Sequence, residues 1–299
     1  MHGGLSIDKT AATAKGLITA TRTALRNVNR PVNTALIQAF GAVGAPMALF
    51  LHQSEIAKIL AVNNILGTIV DTTGNGLDVA ELHKTWMIGG DTSVMNWAKE
   101  HPEKCLWKND VNAIWLLHAD ILVPAARTEV LACMDELSAA RRENPDCESA
   151  EFCAAVMSPS IVVEGANHPL TPSAELFLER KGVAILVDHV VNAGGLIHCF
   201  FEWTFRDSIL DGELSVDEVR LLAERYTEQV VAQNTATMMF SRTSKREAAN
   251  EIATVNGREV KRLLEEIKSS DGHKDLIKAY FEHSLAGSAL VMTPIQKLR

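Results

Sequence analysis

Between residues 34 and 62 the apolar pattern of the chain changes period twice, and this constrains the fold more than any other stretch. The run 34–40 holds Ala35, Leu36, Ile37, Ala39 and Phe40 with little polar interruption. It meets a turn containing Gly41 and Gly44, and residues 43–53 then place Met47, Leu49, Phe50 and Leu51 in an amphipathic stretch. A second apolar run, 56–62, follows directly. Short apolar runs bounded by turn residues are buried strands, and the segment between them has helical period. The pattern predicts strand, glycine turn, helix, strand: a βαβ unit.

The alternation continues. Residues 119–123, 161–164 and 183–187 are further short apolar runs, separated by segments of helical period. This predicts an α/β fold of Rossmann type, a doubly wound, mostly parallel sheet with helices on both faces. A helix over 13–28, carrying Leu17, Ile18, Thr21, Ala24, Leu25 and Val28, leads into it and stops before Pro31. Beyond Trp203 the pattern becomes helical throughout. Val216, Val219, Leu222, Ala223, Tyr226 and Val230 form one face, and Val260, Leu263, Leu264 and Ile267 another, with breaks at Gly257 and 269–272. The expected organisation is a leading helical segment (1–30), a dinucleotide-binding domain (31–205) and an all-helical C-terminal segment (206–299).

Composition narrows the partners. With 29 Lys and Arg against 37 Asp and Glu the net charge is −8, which argues against a nucleic-acid binder, since neutralising phosphates needs a basic surface. Cys105, Cys133, Cys147, Cys153 and Cys199 are odd in number and contain no C-x-x-C pair, so reduced thiols are expected rather than disulfides or a structural metal site. The start of the sequence lacks the features of a signal peptide, and the apolar stretches 114–126 and 183–191 are too short and too interrupted to cross a bilayer. A cytoplasmic protein without membrane partners is expected.

The turn Ala39-Phe40-Gly41-Ala42-Val43-Gly44 is the first chemical signal. Small residues between a strand and a helix let the backbone approach a pyrophosphate, whose charge meets the N–H groups at the helix start. The same turn also serves simple close packing of helix on strand. At the end of the second strand, where a carboxylate ordinarily binds the ribose, stand Asn63 and Asn64. Asparagine bonds a hydroxyl without repelling a 2′-phosphate, so NAD and NADP are both open, with a lean away from strict NAD use.

A second set of motifs carries more information. Glu164-Gly165-Ala166-Asn167-His168-Pro169-Leu170-Thr171-Pro172, then Asp188-His189-Val190-Val191-Asn192-Ala193-Gly194-Gly195, then Phe201-Glu202-Trp203 resemble the E-G-A-N-G-P-x-T-P, P-D-x-x-x-N-A-G-G and F-E-W segments of the glutamate/leucine/phenylalanine/valine dehydrogenase family. Asp120-Ile121-Leu122-Val123-Pro124-Ala125-Ala126 is similar to its D-I-L-V-P-A-A, and Gly4, Leu5, Ser6, Lys9 and residues 12–16 to its approach to the coenzyme domain. The resemblance implies NAD(P)-dependent oxidative deamination of an L-amino acid, glutamate-like, branched-chain or aromatic, to a 2-oxo acid and ammonia. Gly41, Ala42 and Val43 would then lie under the pyrophosphate, Asn64 near the adenosine ribose and Ala125 along the cofactor path. Asn167 and Asn192 would bond the nicotinamide end and Thr13 its carboxamide, while Cys199 would face the substrate side. No catalytic residue is expected among these positions.

The departures from the family pattern are specific. Ala39 stands for the first glycine, Asn64 for the acidic residue, His168 for a glycine, Val187 for a proline and Cys199 for a serine beside His198. The family's substrate-binding lysines and its proton-handling aspartate have no counterpart here. The sequence therefore looks like the coenzyme half of an enzyme whose catalytic domain is upstream or separately encoded, with little turnover expected from these residues alone. The alternative is a non-catalytic nucleotide-binding or regulatory subunit. Assembly as a homo-oligomer stays open. Three smaller signals have structural readings: Asp211, Glu213, Asp217 and Glu218 as dipole partners at a helix start, Trp86, Trp97, Trp107 and Trp115 as core or interface, and 127–160 as a helical insertion.

Overall fold

The computed structural model describes residues 11–28 and 30–268. The motif positions Gly4 to Lys9 and the break at 269–272 lie outside the described residues, as do the side chains of Val260, Leu263, Leu264 and Ile267. Helix α1 (Ala12–Leu25) precedes β1 (Thr34–Gln38), α2 (Gly44–Gln53) and β2 (Lys58–Asn64). Then follow β3 (Gly67–Asp71), α3 (Val79–Glu100), β4 (Cys105–Lys108), a 3-10 turn (Val111–Leu116) and β5 (Ile121–Pro124). The next segment contains β6 (Leu131–Ala132), α4 (Met134–Glu143), β7 (Glu148–Ser149) and α5 (Ala150–Val156). The motif-bearing part is β8 (Ile161–Val163), α6 (Pro172–Arg180), β9 (Ala184–Leu186), α7 (Asp188–Val191) and α8 (Gly194–Thr204). Helices α9 (Arg206–Leu210), α10 (Val216–Phe240) and α11 (Lys245–Lys268) complete the order.

Seven strands form one sheet in the order β4-β3-β2-β1-β5-β8-β9. The pairs β2–β1, β1–β5, β5–β8 and β8–β9 are parallel. This is the doubly wound Rossmann arrangement, and β1, β5 and β8 are buried almost end to end, as strands covered on both faces must be. Their Leu36, Ile37, Leu122, Val123, Val162 and Val163 form the centre of the core. The strands β3 and β4 add an antiparallel edge that the sequence pattern did not reveal.

Helix α1 packs its Leu17, Ile18 and Ala24 into this same core and lies along α10. The segment 127–160 is more than helical, because β6 and β7 pair as a small parallel sheet beside α4. Trp97 and Trp115 are buried, while Trp86 and Trp107 pack against the core from its rim. Glu218 closes a capping box with Ser215 at the start of α10, which gives that carboxylate its helix-end role. No helix among the described residues is long and apolar enough to cross a membrane.

Candidate functional site

In a parallel sheet that winds in both directions from β1, the chain leaves neighbouring strands on opposite faces, which opens a crevice at the carboxyl ends of the strands. Two adjoining cavities occupy this position. The first, about 480 Å³, extends from Gly41 to Asn64 and Asp91. The second, about 710 Å³, is lined by Thr13, Val43, Asn167, His189 and Asn192. Ala125, Ala126 and Arg127, just past the end of β5, line both.

The glycine turn is held by Asn63. Its Oδ1 accepts from Ala39 N at 2.6 Å, its backbone O accepts from Phe40 N at 2.6 Å, and its Nδ2 donates to Val111 O at 2.7 Å. Gly44 begins α2 so close to β1 that a Cβ there would run into Ala39 O. The first bond of the helix runs from Ala45 N to Gly41 O at 2.9 Å, and the N–H groups before it are those an α-helix leaves without an intrahelical partner. Above Gly41, a Cβ position would meet nothing within 4 Å. Open space over a helix start, with small residues beneath, fits a dinucleotide pyrophosphate.

At the other end, Asn192 Nδ2 donates to Asn167 Oδ1 at 2.8 Å, so two separate motifs meet in one cleft. Thus Gly41, Asn64 and Ala125 line the first cavity, and Thr13, Val43, Ala125, Asn167 and Asn192 the second. Ala42 is exposed in the turn and lines neither cavity. Cys199 is exposed one turn of α8 beyond Gly195, outside the lining of the second cavity. His198 is buried and its Nδ1 lies 2.9 Å from Gly194 O, with burial lowering its pKa, so it is a helix-packing residue rather than a partner for Cys199.

Beneath the asparagines lies a buried charge cluster centred on Arg246 of α11. Its guanidinium contacts Glu175 and Asp188 and donates to Glu164 Oε2 at 2.8 Å. Glu164 Oε2 also accepts from Asp188 N at 2.8 Å, while Asp188 Oδ2 accepts from His168 N at 2.8 Å. Glu164 and Asp188 open the two segments that carry Asn167 and Asn192, so Arg246 ties both to the C-terminal helix. Burial raises the Glu164 pKa well above the usual range, helped by the charge of Glu175. At Asp188 burial acts in the same direction, but hydrogen bonds from His189 and His168 N, together with Arg246, outweigh it and hold the carboxyl low. Sequence reasoning missed Arg246, because a single arginine in a helical segment carries no local signal; the buried carboxylates inside recognised motifs were the available hint.

The remaining thiols have packing roles. Burial pushes Cys105, Cys133 and Cys147 up to about 11, which keeps them protonated and unreactive at neutral pH. Cys133, Asp135 and Glu151 bring ligand atoms within 4.8 Å of one another. Glu151 already accepts from Met134 N and from Ser149 Oγ at 2.8 Å, which accounts for its position without an ion.

Residues 3–265 match the Glutamate/Leucine/Phenylalanine/Valine dehydrogenase family. A glutamate dehydrogenase of Aeropyrum pernix is 32% identical over 239 residues, covering 79% of this chain and 49% of that protein. Among solved structures, the hetero-hexameric glutamate dehydrogenase of Thermus thermophilus in its leucine-bound form superposes with a TM-score of 0.60 at 23% identity, covering 82% of this chain and 51% of that one. L-tryptophan dehydrogenase from Nostoc punctiforme superposes with a TM-score of 0.52 at 17% identity, covering 85% and 61%. The two structures speak for the fold, and the chain spans about half the length of the curated relative it matches. The family match covers most of the chain and coincides with the cleft built from its motifs: the chain belongs to the glutamate/leucine/phenylalanine/valine dehydrogenase family.

Proposed function

We propose that this chain is the coenzyme-binding part of an NAD(P)-dependent dehydrogenase that converts an L-amino acid to a 2-oxo acid and ammonia. One observation carries the reading: the glycine turn at the end of β1 and the bonded pair Asn167 and Asn192 open into adjoining cavities at the carboxyl edge of the sheet. Gly41 and Val43 lie under the pyrophosphate, with Ala42 exposed beside them. Asn64 borders the adenosine end, Ala125 lies along the cofactor path between the two cavities, and Asn167, Asn192 and Thr13 hold the nicotinamide. NAD(P) bound there supplies hydride acceptance. Asn167, Asn192 and Thr13 would hold the ring in the orientation that hydride transfer from a substrate Cα requires.

The relative matched at 32% identity is named for glutamate, which supports an L-amino acid as the substrate class. None of the residues lining the second cavity is a lysine. In this reading the groups that bind the substrate carboxylate come from another domain, on the same polypeptide or on a partner, and Cys199 borders that side. The same observation favours a second reading, a non-catalytic nucleotide-binding subunit. Fluorescence titration with NADH and NADPH tests the shared premise, with saturable binding expected and no binding at millimolar cofactor overturning it. Oxidation of NADH that depends on ammonium and a 2-oxo acid, measured with the protein as it exists, separates the two readings.

A further inference from the structure

We infer that Asp91 supplies the ribose-binding carboxylate that the end of β2 lacks, and that it selects a cofactor with a free 2′-hydroxyl over one with a 2′-phosphate. The inference rests on the cofactor reading above. Both asparagines at the end of β2 are committed to the protein itself. Asn63 holds the glycine turn to Val111. Asn64 uses its Oδ1 to accept from Leu66 N at 2.9 Å and its Nδ2 to donate to Asp91 O at 3.3 Å. The side chain at the usual ribose position is thus spent on positioning Asp91.

The backbone is broken to bring Asp91 there. Helix α3 is interrupted at Gly89 (φ −148°, ψ 19°) and Gly90 (φ 61°, ψ −151°), after which Asp91 starts its second half. The left-handed φ of Gly90 suits glycine and costs other residues, so the interruption is written into the sequence. Asp91 lines the same cavity as Gly41 and Asn64 and is half-buried, and its carboxylate has no hydrogen-bond or ion-pair partner among the described residues. Burial raises its pKa, as it does for a carboxylate whose lost hydration nothing replaces.

The other charges of the cavity do not compete for this role. Arg127 is the one Lys or Arg among the residues lining either cavity. It pairs with Asp146 at 2.8 Å, which spends its charge, and it lines both cavities, whereas Asp91 and Asn64 line the first alone. A ribose diol gives Asp91 two hydroxyl donors. A 2′-phosphate in that place brings a dianion against an uncompensated carboxylate in a half-buried cleft, where the repulsion is poorly screened.

The test is binding of NADH and NADPH, by fluorescence titration at fixed ionic strength, to the wild type and to Asp91→Asn. The wild type is expected to bind NADH roughly tenfold or more tightly than NADPH, the scale of one charge-assisted hydrogen bond. In Asp91→Asn the preference is expected to fall to about threefold or less, through weaker NADH and stronger NADPH binding, with an unchanged thermal melt of the free protein. Equal binding of the two cofactors by the wild type, or a ratio that the substitution leaves unaltered, overturns the inference while the cofactor reading stands. A wild type that binds neither overturns the cofactor reading and the inference with it.

Discussion

Ala39 and His168 occupy two of the positions where the family pattern has glycine, and both keep the backbone that glycine would favour, with φ of 75° and 46°. Neighbouring groups hold both residues in this conformation: Asn63 receives Ala39 N, and Asp188 receives His168 N. An L-residue in the left-handed region costs about 1–2 kcal/mol, part of which a glycine gives back through its freer unfolded chain. Ala39→Gly is therefore expected to raise the unfolding free energy by about 0.5 kcal/mol in urea melts, and Ala39→Val to lower it by more than about 1 kcal/mol. A destabilised glycine variant would show that the turn is not strained. The substitutions themselves were legible in the sequence. Their left-handed backbone was not, since φ at one residue is imposed by partners remote in the chain.

At the scale of elements, the C-terminal helix α11 matters to the cleft through Arg246. Replacing it by methionine leaves Glu164, Glu175 and Asp188 buried without their cation, a loss of about 3 kcal/mol or more at pH 7 for a buried pair broken on one side. The pH dependence has a definite sign. The carboxyl of Asp188 is held below its ordinary 3.8, so its contribution is present above that value and is lost as the pH falls toward the folded pKa. Glu164 is raised above 4.5, so its burial costs stability as the pH rises from that value through the folded pKa. Hence the deficit of Arg246→Met in urea unfolding is expected to be largest near neutrality and to shrink toward pH 4, where the carboxylates take up protons. A deficit independent of pH would mean lost packing instead of lost charge pairing. The elements overlooked in the sequence had weak local signals: strands β6 and β7 are two residues each, and the turn from β2 to β3 is the apolar pair Ile65 and Leu66, with the turn-forming Asn64 and Gly67 flanking it rather than occupying it.

For the whole molecule, the proposed ligand bridges pieces far apart in the chain, from Thr13 on α1 to Asn192 beyond β9. Binding that is restricted to the folded state stabilises it by mass action, by about 2.7 kcal/mol at a ligand concentration one hundred times Kd. NADH at that excess is expected to raise the midpoint of thermal unfolding by several degrees, and calorimetry of the protein with and without NADH measures it. An unshifted midpoint at saturating NADH would contradict binding to the native cleft. The sequence by itself determined the sheet class, the glycine turn and the family motifs, because those depend on period, residue size and local order along the chain. Tertiary structure alone decided which polar groups remain available: it spent Asn63 and Asn64 on the backbone, brought Asp91 into the cavity through a broken helix and set Arg246 among three buried carboxylates. Most of these hydrogen bonds, and the desolvation around them, bring together residues remote in the chain, so they are properties of neighbours in space that no local spacing encodes.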